Sequence, residues 1–289
     1  MRYAIVVNPL AGRDSVEEKQ QKLRTAARIL KSSIHGLDVD SFDDFVELAQ
    51  ELADTHDVLV VAGGDGSFSE VMNAVDLPRT ILAFLPMGSG NALQYSIYRR
   101  KGISDIARQI QSGTPQPFDL IDCDGKKRAL VASVGFEGEA LRLVDSYLKQ
   151  NAGGFAAYLQ AALTAYFKSP RPGRAKIEYD GREQNINNLL NFIVTKLPYY
   201  GYGMKIMPAA SMGDAQLHTR FFRNNVIRIL TAAVLSFSVG NRLGEYASAT
   251  EVRITTERPM WLQIDGNVAW SARAFHFQVA PGMLRLIAP

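Results

Sequence analysis

The strand-like run Val58-Leu59-Val60-Val61-Ala62 stops at Gly63-Gly64-Asp65-Gly66, and a helical pattern over 67–75 begins at once. A strand apolar on both faces that turns into a helix within a few residues belongs to a parallel sheet, because only helical cover on both sides buries both faces. The flanking chain repeats the unit. Tyr3–Val7 is a short apolar run ended by Asn8-Pro9, Val16–Leu30 has helical spacing, Val39 marks a weak second strand, and 42–52 is amphipathic. Residues 81–85 form another buried strand closing at Pro86, followed by a Gly/Ser turn and the helix-like 92–98. The first third therefore predicts an α/β domain with a mostly parallel sheet.

From about Phe118 the pattern changes to short segments rich in Val, Ile, Tyr and Phe. They are punctuated by Asp124-Gly125, Asp180-Gly181, Gly201-Tyr202-Gly203, Gly213-Asp214 and Asp265-Gly266. Turn dipeptides between strand-like runs predict a mostly antiparallel second domain, β-rich and sandwich-like. Two helices interrupt it, over 154–167 and about 226–239. Pro115 and Pro117 mark the linker. The expected domains are 1–117 and 118–289, with the last residues free to pack back on the first, and 289 residues suit that division.

Composition excludes several classes. Hydrophobic residues are 47% and charged residues 21%, which rules out a disordered or fibrous chain. A net charge of +3 is too small for a nucleic-acid binder. A single cysteine, Cys123, makes neither an internal disulfide nor a cysteine zinc cluster. The apolar stretches 153–167 and 229–239 fall short of the roughly 18 residues that span a bilayer. The expectation is a cytoplasmic protein, peripheral at the membrane if it meets one.

Chemistry concentrates in the glycine turns. Gly63, Gly64 and Gly66 at a strand's carboxyl end let backbone approach a ligand closely, and the following helix offers N–H groups to an anion. Asp65 inside that turn suits a bare phosphate poorly. It reads either as a partner of a divalent cation between two anions, as a base for an attacking hydroxyl, or with Ser67 as a helix cap. A second turn, Pro86-Met87-Gly88-Ser89-Gly90-Asn91, has the same design, with Ser89 and Asn91 able to donate to phosphate or ligate a hydrated metal. Asn8-Pro9-Leu10-Ala11-Gly12 supplies a third wall. Neither a dinucleotide fingerprint nor a P-loop is present.

Together these residues resemble the diacylglycerol kinase catalytic-domain family, which includes bacterial lipid kinases, sphingosine kinases and ceramide kinases. The resemblance runs through Asn8-Pro9-x-x-Gly12, Gly63-Gly64-Asp65-Gly66-Ser67 with Glu70 and Asn73, and Pro86-x-Gly88-Ser89-Gly90-Asn91-Ala92. It continues through Ser133-x-Gly135-Phe136, Tyr158-x-x-Ala161, Pro208-Ala209 before Asp214, and Val279-x-Pro281-Gly282. The resemblance implies a Rossmann-like nucleotide-binding domain and a β-sandwich acceptor domain, on the NAD kinase/diacylglycerol kinase-like plan. ATP with Mg²⁺ would lie in an interdomain cleft, held by Asn8, Pro9, Gly12, Gly63, Gly64, Asp65, Gly66, Ser67, Glu70, Gly88, Ser89 and Asn91.

The family's acid–base carboxylates fall on Gln263-Ile264-Asp265-Gly266-Asn267. Asp265 is present, but Asn267 stands where the family has glutamate, and an amide is no base at neutral pH. The catalytic set is Asp65, Asp265 and position 267. The family's structural metal, bound by one carboxylate and main-chain carbonyls, would fall on Asp214 with Ser211 and Gln216, although Gly213 and Ala215 replace the usual Asp and Gly around it.

The implied activity is transfer of the γ-phosphate of ATP to a hydroxyl of a diacylglycerol-like or sphingoid-like lipid. Asn267 keeps open a nucleotide- or lipid-binding protein with weak or lost catalysis, and a kinase of a soluble hydroxyl compound is the other alternative. The implied partners are a membrane lipid, the membrane surface in transient contact, and a second copy pairing through an exposed sheet edge as a homodimer. The clusters Arg99-Arg100-Lys101, Lys126-Lys127-Arg128 and 171–174 read as solvated charge or as contacts to anionic headgroups. Phe155, Tyr158, Leu159 and Leu163 read as core packing or a lipid groove. His35, His56, His218 and His276 lack ligand spacing.

Overall fold

The computed structural model describes residues 1–148, 164 and 173–289. Apart from Thr164, which is helical, the expected helix over 154–167 and its aromatic residues lie outside the described residues, as does Arg171. Two compact units emerge. One comprises Met1–Asp119, Tyr199–Gly203 and Pro281–Pro289; the other comprises Leu120–Pro198 and Met204–Ala280.

The first unit is a parallel sheet under helical cover. Its strands are β1 (Tyr3–Val7), β2 (Ile34–His35), β3 (Val58–Gly63) and β4 (Ile81–Pro86), in the order β4-β3-β1-β2. Register runs Val7 to Ala62 and Gly63 to Pro86, so three strands end at one level and their carboxyl-end turns are neighbours. Arg285 and Leu286 add a further parallel pairing beside β4. Helices α1 (Val16–Leu30), α2 (Phe42–Thr55), α3 (Asp65–Ala74), α4 (Ala92–Ile97) and α5 (Ile103–Ser112) complete it. α1 starts in a reciprocal capping box between Ser15 and Glu18, which satisfies two otherwise open N–H groups.

Three expectations shift. The second strand is Ile34–His35, ahead of Val39, because only those residues reach register with Ile5 and Val6. α5 goes unread in the sequence although Ile106, Ala107 and Ile110 form its buried face. Pro115 and Pro117 lie inside strand β5 (Thr114–Cys123), in its more exposed first half, where a missing N–H costs little.

In the second unit, β6 (Lys127–Ala129), β7 (Val131–Gly135), β8 (Ala175–Tyr179), β9 (Arg182–Ile186), β10 (Leu189–Thr195), β11 (Leu217–Arg223), β12 (Glu245–Ala249), β13 (Glu251–Ile264) and β14 (Asn267–Ala288, as far as Ala280) pair antiparallel. Both residues of Asp124-Gly125, Asp180-Gly181 and Asp265-Gly266 have positive φ, the conformation that matches a two-residue turn to strand twist. Alternate residues such as Ala132, Val134, Phe192, Val194, Leu262 and Ile264 fill the core. Among the described residues, helices α6 (Phe136–Leu148) and α7 (Val226–Ser236) accompany these strands. The fold is thus an α/β domain followed by a β-sandwich-like domain.

Candidate active site

The glycine turns of the first unit form one constellation. Gly12 has φ 72°, and a Cβ there would lie 2.3 Å from the carbonyl oxygen of Met87. A Cβ on Gly88 would lie 2.5 Å from the Cα of Gly64, and one on Gly63 would strike the Ser67 side chain. At Gly12 and Gly88 the obstacle is backbone, so glycine is required there for the three turns to close on one another. Asn8 is buried; its Nδ2 donates to Ser67 Oγ at 2.8 Å and its Oδ1 accepts the Leu10 N–H at 2.9 Å.

Asp65 joins the second turn to the third. Its Oδ2 accepts the Ala92 N–H at 2.8 Å and its Oδ1 the Leu93 N–H at 2.9 Å. It therefore caps α4, whose own N-cap, Asn91, makes no side-chain cap, and not the helix it begins. α3 opens at Gly64 with no side-chain cap, so its first turn is left for another acceptor. Withdrawal from water raises the Asp65 carboxyl above its ordinary value, against the N–H groups of Leu93 and Ala92, which lower it.

Asn91 sits at φ 51° and donates Nδ2 to the carbonyl of Gly88 at 2.8 Å, which fixes the amide's orientation. Its Oδ1 is buried without a hydrogen-bond partner. The side chain thus offers an acceptor, which fits a hydrated cation or a donor group and not a phosphate oxygen. Ser89 is exposed between Gly88 and Gly90. Pro9 holds its place in the first turn and Gly66 lies in the first turn of α3, whereas Glu70 lines a groove of about 500 Å³ with Asp43 and Glu47 of α2, a poor wall for a polyphosphate.

Two features of this site escape the sequence reading. Lys19 is 1% exposed, and its Nζ donates to the carbonyls of Pro9 at 2.5 Å and Asp14 at 2.8 Å, bracing the first turn. Its signal is phase, since it shares the inner face of α1 with Leu23, Ala26 and Leu30. The segment Tyr199–Gly203 joins the third turn, with the Tyr202 N–H on the Gly90 carbonyl at 2.8 Å and Gly201 against Gly90.

In the second unit, Asp265 is 7% exposed in the β13–β14 turn. Its Oδ1 accepts N–H groups of Val131 at 2.8 Å and Leu130 at 3.1 Å. Asn267 opens β14 opposite Ile264. The sequence reading missed a carboxylate nearby in the chain's fold: Glu137 on α6 accepts from Ser133 Oγ at 2.6 Å and from Asn191 Nδ2 at 3.0 Å. Asn191, a polar residue in the otherwise apolar start of β10, is the only sequence hint.

The expected metal donors meet a different cation. Lys196 Nζ donates to Asp214 Oδ1 at 2.7 Å and to the Gln216 carbonyl at 2.6 Å, while Ser211 Oγ accepts the Gly213 N–H at 3.4 Å. His218 is packed here, with Nε2 2.7 Å from Asp214 Oδ2 and Nδ1 2.9 Å from the Tyr246 hydroxyl.

Known proteins share this plan. Residues 2–123 match the family model described as diacylglycerol kinase catalytic domain, and 130–288 match the YegS C-terminal NAD kinase beta sandwich-like domain. The diacylglycerol kinase of Bacillus subtilis (strain 168) is 27% identical over 279 residues, covering 92% of this chain and 89% of that protein. A diacylglycerol kinase structure from Bacillus anthracis str. Sterne superposes with TM-score 0.76 at 20% identity, covering 100% of this chain and 97% of that one. An NAD kinase from Archaeoglobus fulgidus in complex with ATP superposes at 0.53 with 12% identity, over 99% and 93%. With both halves matched in order, the chain belongs to the diacylglycerol kinase catalytic-domain family.

Proposed function

We propose that the chain is a lipid kinase that transfers the γ-phosphate of ATP to a hydroxyl of a diacylglycerol-like or sphingoid-like lipid. The observation that carries this reading is the closure of three glycine turns around Asp65. Phosphoryl transfer needs alignment of a hydroxyl with the phosphorus and neutralisation of charge on its oxygens, with little covalent help. The uncapped start of α3 supplies N–H donors to phosphate. Asn91 Oδ1 would help to hold a hydrated Mg²⁺, which when bound would supply positive charge to the phosphate. Asp65, anchored by two N–H groups and made more basic by burial, orients the acceptor hydroxyl and receives its proton.

The proposal includes transient contact with an anionic membrane through α7. Ile227, Leu230 and Val234 share its outer face at 73%, 56% and 69% exposure, opposite buried Ala232 and Ser236, and Val239 beyond it is 74% exposed. Residues 215–244 hold four arginines and no carboxylate. An apolar stripe in a cationic stretch matches a bilayer interface with anionic headgroups. No helix among the described residues is long and apolar enough to cross a membrane.

Incubation with labelled ATP, Mg²⁺ and a mixed lipid extract tests the activity. Label in a lipid product supports it; transfer only to a soluble acceptor supports the NAD-kinase-like alternative. Nucleotide binding without transfer supports the alternative that Asn267 motivates, a binding protein with lost catalysis.

A further inference from the structure

We propose that the ammonium of Lys196 takes the place this family gives to a structural metal ion, so that the second unit secures its Asp214 turn with an internal cation and binds no divalent ion there. Two of the three expected donors are already engaged by one positive charge, since Nζ is 2.7 Å from Asp214 Oδ1 and 2.6 Å from the Gln216 carbonyl. The Lys196 side chain is wholly buried, so a metal at those oxygens would have to displace it into the core.

The rest of the carboxylate is also taken. Oδ1 accepts the Gln216 N–H at 3.2 Å and Oδ2 faces His218 Nε2 at 2.7 Å. Calcium and magnesium require about six oxygen ligands or more, drawn from carboxylates, carbonyls and water, so they need these same oxygens with their lone pairs open. Here Gly213 and Ala215 flank one Asp, and among the described residues no group of three His, Cys, Asp or Glu side chains gathers to hold a metal. One carboxylate matched by one ammonium is balanced; a divalent ion added at contact distance would meet an unscreened like charge.

The lysine also ties this turn to the strand that holds Asp265. Its backbone N–H donates to the Leu130 carbonyl at 2.8 Å, and the Leu130 N–H donates to Asp265 Oδ1 at 3.1 Å.

The test uses the full chain without nucleotide. Its thermal midpoint is expected to be the same in millimolar EDTA and in millimolar MgCl₂, and Mn²⁺ titration followed by electron paramagnetic resonance should show no bound ion that Asp214→Asn removes. Lys196→Met should lower the midpoint by about 5 °C or more, and adding Asp214→Asn should recover part of that loss by removing the unmatched charge. A fall in the wild-type midpoint on chelation, or a bound Mn²⁺ lost in Asp214→Asn, would overturn the proposal. So would a Lys196→Met variant as stable as wild type. If Lys196→Met does not fold, the wild-type chelation and Mn²⁺ measurements decide alone.

Discussion

Asp65 Oδ1 and the backbone N–H of Leu93 lie 2.9 Å apart although 28 positions separate them. Together with the Ala92 bond, this contact makes one carboxylate both the cap of α4 and the link between two glycine turns. A residue with that double duty should respond differently to charge removal and to truncation. Asp65→Asn keeps one of the two acceptors and removes the base, so kcat should fall at least about a hundredfold with only part of the cap lost. Asp65→Ala should in addition cost about 1 kcal/mol of stability, the usual worth of a lost cap. Steady-state kinetics and chemical unfolding of the two variants check this, and wild-type turnover in Asp65→Asn would remove Asp65 from catalysis.

The raised proton affinity of Asp65 gives a pH signature. Burial makes the folded protein hold this proton more tightly than the unfolded chain does. Stability contributed by the protonated form is therefore lost as pH rises from the unfolded value through the raised one. Activity moves the opposite way: kcat/KM should fall as pH drops through that same raised value, placing the acidic limb above the ordinary carboxylate range. A limb within the ordinary range would contradict this.

Gly88→Ala probes the close approach of the turns. The added methyl would lie 2.5 Å from the Cα of Gly64, a backbone atom that moves only with its turn. The KM for ATP should rise at least about tenfold, with much smaller change at Gly125, where nothing lies within 4 Å of an added Cβ.

Asn267→Glu introduces a carboxylate where the sequence resemblance leads to the expectation of a glutamate. If acid–base chemistry at that position limits turnover, kcat should rise by about tenfold or more, measured on lipid in mixed micelles. An unchanged kcat would show that Asp65 suffices.

The α7 face makes a separable prediction. Ile227→Ser with Val234→Ser should weaken sedimentation with anionic vesicles and reduce kcat/KM on vesicle-borne lipid by about tenfold. Activity on a short-chain lipid dissolved as monomer should be unchanged, which separates docking from catalysis. Equal loss on both substrates would argue against docking.

Much of this protein is legible along the chain. β1 and α1 fall on their predicted residues because local apolar periodicity and a Ser15–Glu18 capping box agree with the tertiary result. The Asp-Gly turns are equally plain, since positive φ at consecutive residues is a local demand. The glycines of the three turns announce close backbone approach, though not what they approach.

Pairings between distant residues are decided elsewhere. Sequence leaves Asp65 open as a cation partner, a base or a cap for its own helix, and only the matched ends of β3 and β4 bring it to α4. The sequence does not single out Lys196 and the resemblance assigns Asp214 to a metal, and folding puts the two in contact. Local conformation follows from each residue's own sterics and periodicity, so the sequence alone determined most of the elements, the Asp-Gly turns and the family resemblance. Which charged group faces which depends on strand register and on burial that only the assembled core imposes, so the tertiary structure decided the partners of Asp65, Asp265, Glu137 and Lys196.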